Sequence, residues 1–536
     1  MWKAAVSVFL LLNMDIQVNG AVDKTRGSVV ENSRTEKKVK TEEAEANNNI
    51  PKRDTASSGF LGNLLVVPMD GSHWVGIKAI AQEMGRRGHR VTVVIPEISM
   101  RMGPGKHYDT VTYPVPYDKA HMDSIMSSLK DMIEKSSFTE KIRKGFSNMK
   151  KFIGFMHTTA ESLLFNVSLI SHLAQQNFDA VLTDPVAPTG SLIARKLGIP
   201  IINLLRGLPC SLDMKSAGCP SPPSYVPRFF TRYTDKMSFQ ERAFNNLVVL
   251  LEPLLCRLLF WHFDQIAYQF LGEEVGIAEV LSESAIWLLR MDFTLEFPRP
   301  ITPNVVLVGG INCNVRHPLP EDLESWVSGE HGFVVFTLGT MVSDLPEETT
   351  SVFLEAFRQI PQKVIWRYTG QVPNSFPENV KLMKWVPQND LLGTVSRCSH
   401  GDDANWGDQP DNAVRLASRG AGVVLDIYSI TTESLLQGLN EVINDTRYKE
   451  NMQKLSALHK DRPVDPLDLS VYWTEFVMRH KGAKHLRPAV LDLNWLQYYC
   501  LDVIAVLATL VLFFVILTVQ CLKLCFWKLS RKRKQD

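Results

Sequence analysis

Asp70-Gly71-Ser72-His73-Trp74 follows a short apolar run, Leu64 to Val67, and leads into residues with helical spacing. This puts an imidazole at the carboxyl end of a strand and at the start of a helix, with Ser72 placed to cap that helix. The positive end of a helix disfavours an imidazolium, so a neutral His73, able to accept a proton as a general base does, is expected. A second apolar run, Ala180 to Leu182 in FDAVLTDP, delivers Asp184 to another strand end. A carboxylate there can hydrogen-bond Nδ1 of His73 and orient the ring, as the acid of a hydrolase triad does. The blander roles are a histidine that packs or caps and an aspartate that turns the chain before Pro185. At two strand ends of one domain the two residues form a candidate dyad. A lumenal hydrolase built on it would need a nucleophile, and no G-x-S-x-G elbow occurs.

The elements that must carry these residues are legible around them. Ile77, Ile80, Ala81 and Met84 keep the i, i+3, i+4, i+7 spacing of one helix face, Gly88 supplies a C-terminal stop, and Val91 to Ile95 is a further strand. This βαβ unit predicts a parallel sheet covered by helices. The pattern returns with the strand Phe333 to Thr337, the helical stripe Phe353, Ala356, Phe357 and Ile360, and the strand Val364 to Trp366. FPRPITPN at 297–304 is rich in proline and asparagine, as a connection between domains would be. The expected fold is therefore α/β, with two Rossmann-like doubly wound domains at 59–296 and 297–502. Ligands in such folds bind beyond the carboxyl ends of the strands.

The ends of the chain point to a membrane. Residues 1–20 carry Lys3 and a short apolar core, too short to span a bilayer, and read as a cleaved signal peptide. Residues 21–58 are charged and lack aromatics, which predicts a disordered linker. Val503 to Leu522 contains no charge and is long enough to cross the hydrocarbon core, with Trp495, Tyr498 and Tyr499 placed as an interfacial belt. The basic tail at 523–536 would stay cytosolic and leave the body lumenal. Lys532 and Lys534 in the terminal KRKQD form a dilysine address for retention in the endoplasmic reticulum, the alternative being a cluster that only anchors the helix against acidic lipid. Asn166-Val167-Ser168 and Asn444-Asp445-Thr446 are glycosylation sequons. A net charge of +1 gives no reason to expect nucleic acid, and the eight cysteines show no spacing that suggests zinc. Cys210 and Cys219 are candidates for a lumenal disulfide, which spacing alone does not establish; Cys521 and Cys525 are candidates for palmitoylation.

Several longer stretches carry a resemblance. DGSHW at 70–74, LTDPVAP at 182–188, PCSLD at 209–213, CPSPPSYVPR at 219–228, NVVLVGGINC at 304–313, GEHGFVVFTLGTMV at 329–342, WVPQNDLLG at 385–393, GDQPDN at 407–412 and EFVMRHKGAKHLR at 475–487 resemble vertebrate UDP-glucuronosyltransferases. The resemblance implies an inverting, metal-independent transferase of the GT-B arrangement, with UDP-glucuronic acid as co-substrate and no cofactor. His73 would deprotonate a lipophilic acceptor held by the first domain, and Asp184 would orient it. In the second domain Thr340 would meet phosphate, Trp385 and Gln388 the uracil and ribose, and Asp408 and Gln409 the sugar hydroxyls. Homo- or hetero-oligomers with relatives are an expectation of the same kind.

One stretch departs from that pattern. Between LLG and GDQ the family has a strand, a His-Gly-Gly-type turn, a helix and a second strand; here only residues 394–406, TVSRCSHGDDANW, intervene. His400-Gly401 echoes the turn without its helix. The missing helix N-terminus would normally hold the diphosphate, so weak donor binding and an uncovered sheet flank are expected. The abrupt return to GDQPDN fits a splice form, a misjoined coding sequence or a divergent member, and an impaired chain would act only as a membrane-bound partner of active relatives.

Overall fold

A computed structural model describes residues 15–18, 60–128, 138–208, 211–229, 231–313, 317–338, 345–373, 375–395, 409–427 and 429–532. The strands are β1 (Asp15–Val18), β2 (Asn63–Val67), β3 (Arg90–Pro96), β4 (Asp109–Tyr113), β5 (Ala180–Thr183), β6 (Ile201–Leu205), β7 (Ile286–Leu289), β8 (Val305–Leu307), β9 (Phe333–Thr337), β10 (Lys363–Arg367) and β11 (Val380–Met383). The first sheet is wholly parallel, in the order β4-β3-β2-β5-β6-β7-β8. Its central strands are nearly continuous apolar runs because both faces are covered. Helix α1 (Ser72–Arg86) buries Ile77, Ile80, Ala81 and Met84, the face read from their spacing. Its N-cap is Gly71 rather than Ser72, which is the first helical residue and buried. The reason is backbone geometry: Gly71 enters the helix at φ 78°, a conformation glycine adopts without steric cost.

Helices α2 (Lys119–Ser128) and α3 (Phe138–Leu164) follow β4, α4 (Thr189–Leu197) follows β5, and the long α5 (Phe239–Leu271) precedes β7. In the second domain β9, β10 and β11 are parallel, and α6 (Glu347–Arg358) lays Phe353, Ala356 and Phe357 on them. Phe353 stacks on Phe336 with 4.7 Å between ring centroids. The flank expected to be bare is paired at β9, where β1 adds an antiparallel strand from within the segment read as a signal peptide. An open parallel edge presents unpaired amides and carbonyls, and β1 satisfies them. Ile125 and Met126 of α2 also join this domain's core. Residues 396–408, including most of the shortened stretch, lie outside the described residues. So do the linker at 21–58 and the rest of residues 1–20.

Two boundaries differ from the sequence reading. Strand β8 pairs with β7, so FPRPITPN joins two strands of the first sheet instead of two domains. Helices α7 (Gln388–Val395) and α8 (Gln409–Ser418) belong to the second domain, as do the helices Thr432–Asn444 and Thr446–Lys460 that follow, whereas α9 (Pro466–His480) returns to the first domain. Its Val471, Val477 and Met478 share a core with Leu64, Ile77 and Ile202. Buried His89 accepts from the Gly62 amide at Nδ1 (3.0 Å) and lies 3.2 Å from Glu475 Oε1 through Nε2, which fixes the end of α9 to the start of β2. No local spacing in residues 466–480 encodes which sheet α9 covers.

Residues from Arg487 onward form a separate compact unit. Within it α10 (Leu501–Lys532) has a 28-residue stretch, Leu501–Lys528, with exposed side chains and an 18-residue window of mean hydropathy 2.8. It contains the predicted span and is a candidate membrane helix. Cys219 is a free, buried thiol whose Sγ lies 3.3 Å from Thr302 Oγ1, so the Cys210–Cys219 bridge is not formed. Cys256 is disulfide-bonded.

Candidate active site

Strands β2 and β5 lie side by side, Leu64 to Val67 against Ala180 to Thr183. Their crossovers leave in opposite directions across the sheet, and such a switch point opens a crevice at the strand ends. The turn after β2 delivers His73 to the first turn of α1, and the end of β5 delivers Asp184. The two meet there: His73 Nδ1 is 2.6 Å from Asp184 Oδ2, with the histidine side chain 22% exposed and the aspartate 2%. Asp184 Oδ1 accepts from the Val186 amide at 2.9 Å, so the carboxylate is held from both sides. A carboxylate only accepts, so Nδ1 carries the proton and the lone pair sits on Nε2. That is the tautomer of a general base oriented by an acid.

Asp70 organises the approach to this pair. Its Oδ1 accepts from the amides of Gly71 (2.6 Å) and Arg101 (3.0 Å), and its Oδ2 from Met100 (2.6 Å). The loop beyond β3 is thereby tied to the turn that starts α1. Beyond β4 a cleft of about 550 Å³ is lined by Tyr117, His121, Ile125, Phe155 and Thr158 among others. Tyr117 donates to or accepts from Thr159 Oγ1 at 2.9 Å, and burial pushes its phenol up. This cleft lies within the first domain, which is expected to hold the acceptor.

The residues expected to meet the donor are partly described. Trp385 follows β11 and is 51% exposed. Gln388 opens α7, half-buried, and Gln409 opens α8. Thr340 and Asp408 lie outside the described residues, as do His400 and Gly401. Three residues after Gln409, Asn412 Oδ1 accepts from Arg206 Nη2 of the first domain (2.7 Å) and from Arg415 Nη1 (2.8 Å). Arg415 also pairs with Glu296 at 2.7 Å. The start of α8 is therefore held against the end of β6. Trp385 likewise meets the first domain, with the Arg101 guanidinium 4.3 Å from its ring centroid. Arg206 and Arg101 were not foreseen; Arg206 had a signal in its place at a strand end, and Arg101 had none.

Two of the resembling stretches prove to be scaffolding. Asp213 of PCSLD and Arg228 of SPPSYVPR form a buried pair at 2.7 Å, extended by Glu252 (2.7 Å to Arg228) and Arg299 (2.6 Å to Asp213). Burial pushes the Asp213 carboxyl up, but the Arg228 and Arg299 charges outweigh it and hold the group below its ordinary value. The remaining polar groups are satisfied by Ser221 and Asn245, as a buried ion network requires.

The chain matches the family described as UDP-glucoronosyl and UDP-glucosyl transferase over residues 62–397 and 405–536, the match breaking inside the shortened stretch. It is 43% identical over 497 residues to UDP-glucuronosyltransferase 1A6 of Homo sapiens, covering 88% of this chain and 93% of that protein. It is 42% identical over 499 residues to UDP-glucuronosyltransferase 1A1 of Homo sapiens, covering 88% and 94%. Among solved structures, a variant of Os79 from O. sativa in complex with UDP aligns with a TM-score of 0.51 at 15% identity, over 78% of this chain and 100% of that one, which shows a common fold. Two parallel-sheet domains of GT-B type, an oriented histidine at a switch point and identity sustained over most of the chain agree: the protein is a glycosyltransferase of the UDP-glucoronosyl and UDP-glucosyl transferase family.

Proposed function

We propose that the protein transfers glucuronic acid from UDP-glucuronic acid to small lipophilic acceptors such as phenols, steroids and xenobiotics, with inversion at the anomeric carbon. The observation that carries the proposal is the 2.6 Å contact of His73 Nδ1 with Asp184 Oδ2. His73 Nε2 takes the acceptor hydroxyl proton as that oxygen attacks the anomeric carbon, and UDP departs from the opposite face. The imidazolium that forms is stabilised by the Asp184 carboxylate. Trp385 stacks on uracil and Gln388 meets the ribose; Thr340 contacts phosphate, and Asp408 with Gln409 hold the sugar hydroxyls. No metal ion takes part in this scheme. The family assignment supports the UDP-sugar, and the relatives' names support glucuronic acid.

The body is lumenal in the endoplasmic reticulum, α10 is its single membrane span, and Lys532 with Lys534 retains it there. Asn444, exposed at the end of its helix, and Asn166 are the glycan acceptors. A silent partner of active relatives is the less favoured reading, because the base and its acid are assembled in this chain. Expressed in microsomes with UDP-glucuronic acid and a simple phenol, the chain forms the phenyl glucuronide. His73→Ala lowers kcat by about 10²–10⁴-fold; a variant as active as the parent would sink the assignment. The shortened signature also predicts a donor KM above that of human UDP-glucuronosyltransferase 1A6 measured in parallel.

A further inference from the structure

We propose that Arg101 is a gate on the nucleotide pocket: its guanidinium stands on the indole of Trp385, and the base of a UDP-sugar must move it aside to stack there. The inference rests on the assignment of Trp385 to the base. The guanidinium carbon of Arg101 is 4.3 Å from the Trp385 ring centroid, against 5.9 Å for Arg367 at the end of β10. A guanidinium is planar, and when it lies over an aromatic face it takes the place a stacked base would take. The two cannot share that face.

Two further observations favour a displaceable contact over a fixed strut. Nη1 of Arg101 is buried and has no hydrogen-bond partner among the described residues. A buried donor left unpaired is costly, so the stacked position is held weakly for so polar a group. The loop, in contrast, is fastened through its backbone, by the Met100 and Arg101 amides on Asp70. The side chain can therefore swing without unfolding the loop, and truncating it spares the bonds that hold the loop. Because Asp70 also accepts from Gly71, the gate hangs from the turn that starts the helix of His73.

The test is calorimetric titration of uridine and of UDP into the full chain in detergent, for wild type, Arg101→Ala and Trp385→Ala. Opening the gate tightens uridine and UDP alike, by about two- to tenfold for a contact of this kind, and lowers the donor KM while leaving the acceptor KM unchanged. Uridine is the discriminating ligand because it carries no phosphate. If Arg101→Ala weakens UDP and leaves uridine unchanged, Arg101 is a phosphate contact and the gate is overturned. Unchanged affinity for both, or no binding by either wild type or Arg101→Ala, overturns it as well. Trp385→Ala separates the two ideas. Loss of uridine binding upholds the base assignment whatever Arg101 does, and wild-type binding removes that assignment and the gate with it.

Discussion

At the scale of single residues, the proposed chemistry turns on which nitrogen of His73 holds the proton. The carboxylate of Asp184 fixes it on Nδ1 while its other oxygen serves the Val186 amide. In Asp184→Asn the one remaining oxygen stays with Val186, and the amide NH2 faces His73. A donor there needs a lone pair on Nδ1, which moves the ring proton to Nε2, the wrong tautomer for a base. We expect kcat to fall by about 10³–10⁴-fold with little change in either KM, and steady-state kinetics on the purified variant would show it. This pair was legible because strand ends and apolar runs are local patterns, and the residue types at those ends limit the chemistry. Arg101 was not, because its partner Trp385 belongs to another domain and no local spacing encodes that contact. Asp213 shows a third case, since a lone aspartate in PCSLD gives no sign of two arginines around it. Its depressed carboxyl contributes stability that is complete above the unfolded value of about 4 and is lost as pH falls through the lower native value. Asp213→Asn should therefore cost about 3–5 kcal/mol at neutral pH and flatten the acid limb of stability; urea unfolding at pH 7 and across a pH series descending below about 4 measures both.

At the scale of elements, the site depends on how closely α4 approaches the ends of β2 and β5. Gly190 allows that approach: a β-carbon there would lie 2.2 Å from Thr183 Oγ1 and 3.0 Å from Val67 Cβ. Thr183 precedes Asp184 and donates to the Val67 carbonyl at 2.8 Å. Gly190→Ala must push these strand ends apart, so we expect a loss of about 1–3 kcal/mol together with reduced kcat, read from thermal unfolding and from turnover. An unshifted melting curve with normal turnover would show that the helix can yield. The strands themselves were readable as apolar runs, and α1 as a stripe of four residues. The N-cap was misplaced by one residue because Ser72 has the chemistry of a cap, but Gly71 has the backbone freedom that the turn demands. FPRPITPN looked like a boundary because proline and asparagine mark any exposed connection, including one between two strands of the same sheet.

At the scale of the whole molecule, the first domain is built from two distant parts of the chain. Residues 60–307 supply the sheet, and α9 closes one of its faces. A chain ending after Leu486 should keep a protease-resistant body, whereas one ending before Pro466 should be degraded as an incompletely packed domain; limited proteolysis of the two separates these outcomes. The same feature bears on how the protein is made. A ribosome delivers about 5–20 residues per second, so after β8 emerges the first domain waits on the order of ten seconds or more for Val471, Val477 and Met478. During that interval the apolar surface of α1 and its sheet is uncovered in the growing chain. The second domain, though later in order, has its own strands in hand earlier. Birth order and completion order are thus reversed, and the last segment of the body to be synthesised, immediately ahead of the apolar helix, is the one that finishes the first.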